Sequence, residues 1–422
     1  MGRRNRPILP FLLLLISLAS ELLLLPGDSK THPSDIQALK DLQQGLDSSS
    51  ITPGSCISSW NFSIDPCDHI FSESFTCGFR CDTSVSGLTR ITEISLDHGA
   101  AYSGSLSLSN LPYLETLDIA DNLFTGPIPS SLSNITRLRR ISLSRNAFSG
   151  EIPTSIGSIS SLEELYLDNN QLQGPIPESI GALQNLKRLE LQANKLFGKL
   201  PDMSSLKSLY FLDMSDNRIS GNLSSMPESI VEISMRNNSL EQLPDGLGNL
   251  RFLQVLDLSN NNLSGGVPAV VFNHPSLEQL TLSHNQLSSL QEPENSGAGS
   301  QLIAVDLGYN ALGGLLPAFM GMMPRLSALT LESNRFTGMI PSQYALKAVV
   351  PGPGMAPFMR LLLSGNYLFG PIPSPLIGMK PGSAIVSLVD NCLMRCPESF
   401  FFCQGGKQKS FSDCRNFSPV IP

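Results

Sequence analysis

The sequence predicts an α/β solenoid of short parallel strands, one coil stacked on the next, with a cap closing each end. Two observations carry this reading. Four consecutive segments, LETLDIADNLFTGPIP, LRRISLSRNAFSGEIP, LEELYLDNNQLQGPIP and LKRLELQANKLFGKLP, place asparagines at 122, 146, 170 and 194, each 24 positions after the last. A fixed period of this length marks coils that cannot bury their apolar faces alone and must stack. The eight cysteines fall in two groups, Cys56, Cys67, Cys77 and Cys81 near the start and Cys392, Cys396, Cys403 and Cys414 near the end, with none between. In an oxidising compartment such clusters read as disulfide-closed caps, and each group of four allows three pairings.

Each column of the repeat has a physical reading. In the third copy Leu162, Leu165 and Leu167 are expected to point inward, with Leu172 and Ile176 completing the layer. The asparagine that follows sits where the strand ends, and its amide can satisfy backbone groups that the turn leaves unpaired. The predicted ladder runs Asn122, Asn146, Asn170, Asn194, Asn217, Asn238, Asn261, Asn285, Asn310, Asn334, Asn366 and Asn391, giving about twelve coils. Glycines 126, 150, 174 and 198 fall where a tight bend favours positive φ, and the proline of GPIP suits a short edge strand that needs few donors. Two copies depart furthest from the period. Asn217 to Asn238 spans 21 positions, whereas Asn334 to Asn366 spans 32 and includes VVPGPGMAP, read as a lengthened outer loop.

Before the array, SDIQALKDLQQGL has Ser34 and Gln37 at capping-box spacing. Ile36, Leu39, Leu42 and Leu46 form one apolar helical face that covers the open end of the core, with Trp60 packed nearby. The first residues carry Arg3, Arg4 and Arg6 ahead of an apolar run, the layout of a cleaved secretory signal. Glu21 inside that run disfavours a retained anchor. The expected division is therefore 1–27 signal peptide, 28–89 N-terminal cap, 90–391 repeat array and 392–422 C-terminal cap. No later stretch reaches the ~18 apolar residues a membrane helix needs, so no transmembrane helix is expected after signal cleavage. N-glycosylation triplets begin at Asn61, Asn134, Asn222, Asn237, Asn262 and Asn416, which fits a secreted chain.

At this point the residues resemble the plant extracellular leucine-rich-repeat family, through the SSW and DPC elements of the cap and the repeated LxxLxLxxNxLxGxIP. The family includes receptor kinases, kinase-lacking receptor-like proteins of the Too Many Mouths type and, more distantly, polygalacturonase-inhibiting proteins. The resemblance implies a right-handed horseshoe with a second short sheet at the xIP segments. It also implies an extracellular place, in the apoplast, the cell wall or on the outer face of the plasma membrane. The cap departs from the family pattern, since DHIFSESFTCGFRC lacks the usual tryptophan.

Composition and motifs narrow the function. A net charge of −8 opposes nucleic-acid binding, which needs clustered Lys and Arg. CGFRC and CLMRC have CxxxC spacing with no histidine to complete a zinc set, so no metal or other cofactor is expected. There is no HExxH, GxSxG or phosphate-loop motif, and the adjacent Glu163 and Glu164 face opposite ways on a strand, so no catalytic set is assigned. The non-leucine positions of each strand face the concave side, where charge mixed with aromatics suits recognition. Arg139, Arg140, Arg145, Glu164, Tyr166, Asp168, Arg188, Glu190, Gln192 and Phe211 are assigned as the ligand-binding patch, and Ser142, Asp213, Arg236, His284, Tyr309 and Glu332 extend the columns. Asn237, if glycosylated, would favour binding towards the N-terminal half. The expected function is non-enzymatic recognition of a peptide, a glycan or a receptor ectodomain, acting with a membrane receptor kinase. The alternative is a secreted inhibitor of cell-wall-degrading enzymes.

Overall fold

The computed structural model describes residues 30–417 apart from 109, 224 and 245. The expected signal peptide, residues 1–27, lies outside the described residues. Among the described residues the main sheet has 14 strands. Its first, Phe79–Arg80, runs antiparallel to Glu93–Ser95, and every later neighbour is parallel. Adjacent coils pair in strict register, with Leu165 opposite Ile141 on one side and Leu189 on the other. Because leucine stacks on leucine, the inward side chains form one continuous core. Leu162, Leu165, Leu167, Leu172 and Ile176 are all buried in it.

The asparagines tie the coils together by a single repeated geometry. Oδ1 of Asn170 accepts from the Phe148 backbone N–H in the preceding coil at 3.0 Å, and its Nδ2 donates to the Leu143 carbonyl at 2.9 Å. The same backward reach recurs from Asn122 to Asn391. The main sheet carries one parallel strand more than the ladder has asparagines, because the coil of Ile91, Ile94 and Leu96 has Gly99 in that column. At the far end Gln408 acts as a further rung. Its Oε1 accepts from the Leu393 N–H at 3.2 Å, and its Nε2 donates to the Leu388 carbonyl at 3.1 Å.

The residue before each ladder asparagine turns the chain out of the strand. Asp121, Arg145, Asn169, Ala193, Asp216, Asn237, Asn260, His284, Tyr309 and Ser333 all have φ between 51° and 56°. This is the left-handed region that side chains other than glycine rarely occupy. The turn persists because its N–H groups are used, as when Arg145 donates to the Asp168 carbonyl at 3.0 Å.

A second set of strands lies earlier in the coil than the xIP segments. It comprises Ser103–Ser105, Leu123–Gly126, Ala147–Gly150, Gln171–Gly174 and their successors, in sheets of seven, two and four strands among the described residues. The prolines fall just beyond them, since a residue without an N–H cannot donate to a parallel ladder. Pro129, Pro153 and Pro177 instead precede the 3-10 turns Ser130–Asn134, Thr154–Ser158 and Glu178–Ala182 on the outer side. Glycines 150 and 174 end their strands at φ of 83° and 87°.

The N-terminal helix, Pro33–Gln44, starts two residues earlier than the capping-box reading places it. His32 is the N-cap, its Nδ1 accepting from the Ser34 N–H at 3.2 Å, and Pro33 supplies a preset first φ. Its buried face carries Asp35, Ala38, Leu39 and Leu42, while Ile36 stays partly exposed. Asp35 is fully buried and receives a two-pronged bond from Arg90, Nε to Oδ2 at 3.0 Å and Nη2 to Oδ1 at 2.7 Å, plus the Ile91 N–H at 2.9 Å. Trp60 packs edge-on against Phe62 and Phe79 and donates to the Cys77 carbonyl. The cap disulfides are Cys56–Cys77 and Cys67–Cys81, and those of the C-terminal end are Cys392–Cys414 and Cys396–Cys403.

The long segment between Asn334 and Asn366 is more than a loop. It contains the helix Ser342–Val349, whose Tyr344, Ala345, Lys347 and Ala348 are buried. Lys347 donates from Nζ to the Met323 carbonyl at 2.6 Å, and burial pushes its ammonium down to about 8.

Candidate functional site

The concave strands Arg140–Ser142, Glu164–Tyr166, Arg188–Glu190, Phe211–Asp213 and Glu232–Ser234 lie side by side. Their outward residues form a connected chain. Arg140 Nη1 donates to Glu164 Oε2 at 2.6 Å and lies 4.6 Å from the Tyr166 ring centre. Tyr166 donates its hydroxyl to the same Glu164 oxygen at 3.0 Å. Burial, with the Glu164 charge behind it, pushes the Tyr166 phenol up to about 12. Arg188 stands on the next strand, 3.6 Å from the Phe211 ring centre and 2.5 Å from Glu190 Oε1. Gln192 completes the chain by donating to Glu190 Oε2 at 2.9 Å.

Beyond Arg188 the balance turns acidic. Glu190, Asp213 and Glu232 gather on three adjacent strands. Burial raises the Asp213 carboxyl above its usual range, with the Glu190 charge adding to the shift. Glu232 is raised for the same first reason, with the charges of Asp213 and Glu190 pushing the same way and Arg188 opposing them.

A second row runs along the start of the strands. Arg139 bridges Glu115 at 3.7 Å and Glu163 at 2.7 Å, and Lys187 reaches Glu163 at 2.6 Å. The Lys187 hydrogen bond is the main reason the Glu163 carboxyl sits below its ordinary range. Glu163 and Glu164 thus serve separate rows, each paired with its own cations.

The structure therefore brings Arg140, Glu164, Tyr166, Arg188, Glu190, Gln192 and Phe211 together, with Arg139 alongside. It separates others. Asp168 and Ser142 are buried rather than free on the surface, Asp168 accepting from the Ser144 hydroxyl and from Asn169 Nδ2. Arg145, His284 and Tyr309 occupy the left-handed turn position, past the strand and on the rim. His284 and Tyr309 stack there with ring centres 4.2 Å apart. Arg236 pairs with Asp216 at 2.9 Å, and Glu332 accepts from the Ser364 hydroxyl. Sequence reasoning missed Asp118, which faces Arg140 at 4.0 Å, and Glu232. Both lie in the columns already read, one copy before and one copy after the segment chosen.

All six glycosylation-triplet asparagines are exposed, and Asn237 on the rim donates to Asp216 Oδ1 at 2.9 Å. Among the described residues one group has metal-type ligands close together, Cys56, Cys77 and Asp97, but its two sulfurs are joined as a disulfide. Asp97 instead accepts from the Cys56 N–H and the Tyr102 hydroxyl. Among the described residues no helix is long and apolar enough to cross a membrane.

Models of the leucine-rich repeat match residues 113–135, 137–159, 160–219 and 228–287. The crystal structure of PEPR1 with AtPEP1 superposes with a TM-score of 0.73 at 31% identity, covering 89% of this chain and 51% of that one. The fold is a plant-type leucine-rich-repeat solenoid. The solenoid is also similar to the plant peptide hormone receptor RGFR1 in complex with RGF2, with a TM-score of 0.62 and 29% identity over 72% of this chain and 48% of the receptor. In sequence it is 38% identical over 84 residues to a probable leucine-rich-repeat receptor-like serine/threonine-protein kinase of Arabidopsis thaliana, 17% of this chain and 8% of the kinase. The chain thus spans about half the length of the receptors it superposes on, and far less of the kinase. A leucine-rich-repeat protein of Leptospira interrogans shares the fold alone, at 22% identity.

Proposed function

We propose that this solenoid is an extracellular, non-enzymatic recognition protein that binds a peptide across the strands from Arg140 to Glu232 and acts with a receptor kinase. The observation that carries the reading is the connected Arg140–Glu164–Tyr166–Arg188–Phe211 chain on one face. Planar cations held over aromatic rings are pre-organised, so a ligand loses little affinity in ordering them. At about 4.8 Å between strands the patch is about 19 Å long, which matches an extended peptide of about six residues. Support comes from PEPR1 and RGFR1, similar solenoids solved with AtPEP1 and RGF2.

The test is capture of peptides from plant extracellular fluid by the immobilised secreted chain, read by mass spectrometry. Peptides retained by the native protein and lost from an Arg188→Glu, Phe211→Ala variant are expected. An identical set on both proteins, or none on either, overturns the reading.

A further inference from the structure

The coil from Asn217 to Asn238 is three residues shorter than the early coils. Among the described residues of its outer side, between Asn222 and Ile230, a bare turn stands, as in the coil just before it, where the three coils from Asn122 to Asn194 place a 3-10 turn. The second sheet is disturbed at the same place. Pairing of Arg218–Asn222 with Ser239–Gln242 shifts register between Gly221 and Asn222, and the seven-stranded sheet ends at Ser239–Gln242. A groove of about 940 Å³ remains, bordered by Met226, Leu243 and Phe252 together with Lys207, Glu228 and Asn222. Phe252 is 62% exposed there.

Asn222 begins the triplet Asn222-Leu223-Ser224 and lies on the bulge, exposed. Its Nδ2 donates one hydrogen to Gln242 Oε1 at 3.1 Å. A glycosylated amide keeps one N–H, so the attachment is compatible with that bond. We propose that Asn222 carries an N-linked glycan whose first N-acetylglucosamine units lie in this groove. A pyranose has an apolar C–H face and a polar edge. Phe252, Leu243 and Met226 offer the first a surface, while Lys207 and Glu228 offer the second hydrogen-bond partners. The volume falls in the range of about 300–1,000 Å³ typical of small-molecule sites. Tethering raises the local concentration of the sugar, so weak contacts suffice to hold it. The sugar would cover apolar surface that the short coil leaves bare.

The proposal shares only the secretory route with the peptide-binding reading. The test expresses the full chain in a plant secretory host and maps glycopeptides by mass spectrometry. Amide exchange of residues 243–252 is then followed before and after enzymatic deglycosylation of the folded protein. Occupancy at Asn222 is expected, with exchange in that segment rising several-fold once the sugar is removed. Asn222→Gln and Ser224→Ala should show the same rise, and Asn134→Gln, which removes an exposed triplet on a 3-10 turn, should not. Enzymatic removal keeps the test valid if either variant fails to fold. A bare Asn222 beside modified asparagines elsewhere, or exchange unchanged by deglycosylation, overturns the proposal alone. A chain with no triplet modified overturns this proposal too and leaves the peptide-binding reading to its own capture test.

Discussion

Arg188 sits over Phe211, its Cζ 3.6 Å from the ring centre, while the Nε of the same guanidinium is held by Glu190. The ring and the carboxylate fix the direction in which the remaining guanidinium hydrogens point. Phe211→Ala should weaken binding of a captured peptide about tenfold, or about 1.4 kcal/mol. Phe211→Tyr should retain affinity because the ring face survives. Titration calorimetry on both variants decides the matter, and equal affinity of Phe211→Ala and native protein would remove the patch from the interface.

Asp35 and Arg90 predict where the N-terminal cap is most fragile. Asp35→Ala leaves a buried guanidinium without its carboxylate, a change expected to destabilise by about 3–5 kcal/mol. The exposed pair Lys30 and Asp68, 3.5 Å apart, should contribute under about 1 kcal/mol by comparison. Guanidinium-chloride unfolding measures both, with amide exchange across 88–96 expected to rise only in the Asp35 variant.

Lys347 sets a pH dependence. Burial lowers its folded-state value to about 8 from the ordinary 10.5, so the folded state disfavours the ammonium. Its stabilising contribution is full above pH 10.5 and is lost as pH falls through 8. Lys347→Met removes this dependence. Melting curves from pH 7.5 to 10.5 should show native protein gaining on the variant as pH rises, and a constant difference would refute the assignment.

The two C-terminal disulfides should not be equivalent. Cys392–Cys414 closes a loop of 22 residues and Cys396–Cys403 one of 7. Loop entropy assigns about 3.4 and about 2.4 kcal/mol to them respectively. Paired Cys→Ser variants, compared by thermal unfolding, should rank in that order.

The ladder was legible because one residue type returns at one spacing and its chemistry admits few roles. The core leucines were legible for the same reason. Asp35 was not, since its partner Arg90 is 55 residues away and a lone acid beside Ile36 looks like the wet side of the helix. Lys347 was hidden in a segment whose glycines and prolines spoke only of loop. The second sheet was displaced to the xIP segments because the sequence marks those prolines loudly and the strands before them weakly. In the candidate patch residue types were readable by column, but the pairing of Arg188 with Phe211 depends on register between strands.

The backward reach of the ladder gives the stack a direction. Every coil presents an amide and a carbonyl that only its successor can satisfy, so the structure has a growing end and a finished one. Gln408 ends this succession by supplying the next rung's two bonds without the next coil. It behaves as a terminator, and the number of coils before it is set by where that terminator stands. Whole coils excised or inserted upstream should leave a closed array, whereas Gln408→Ala should fray it from the last coil backwards.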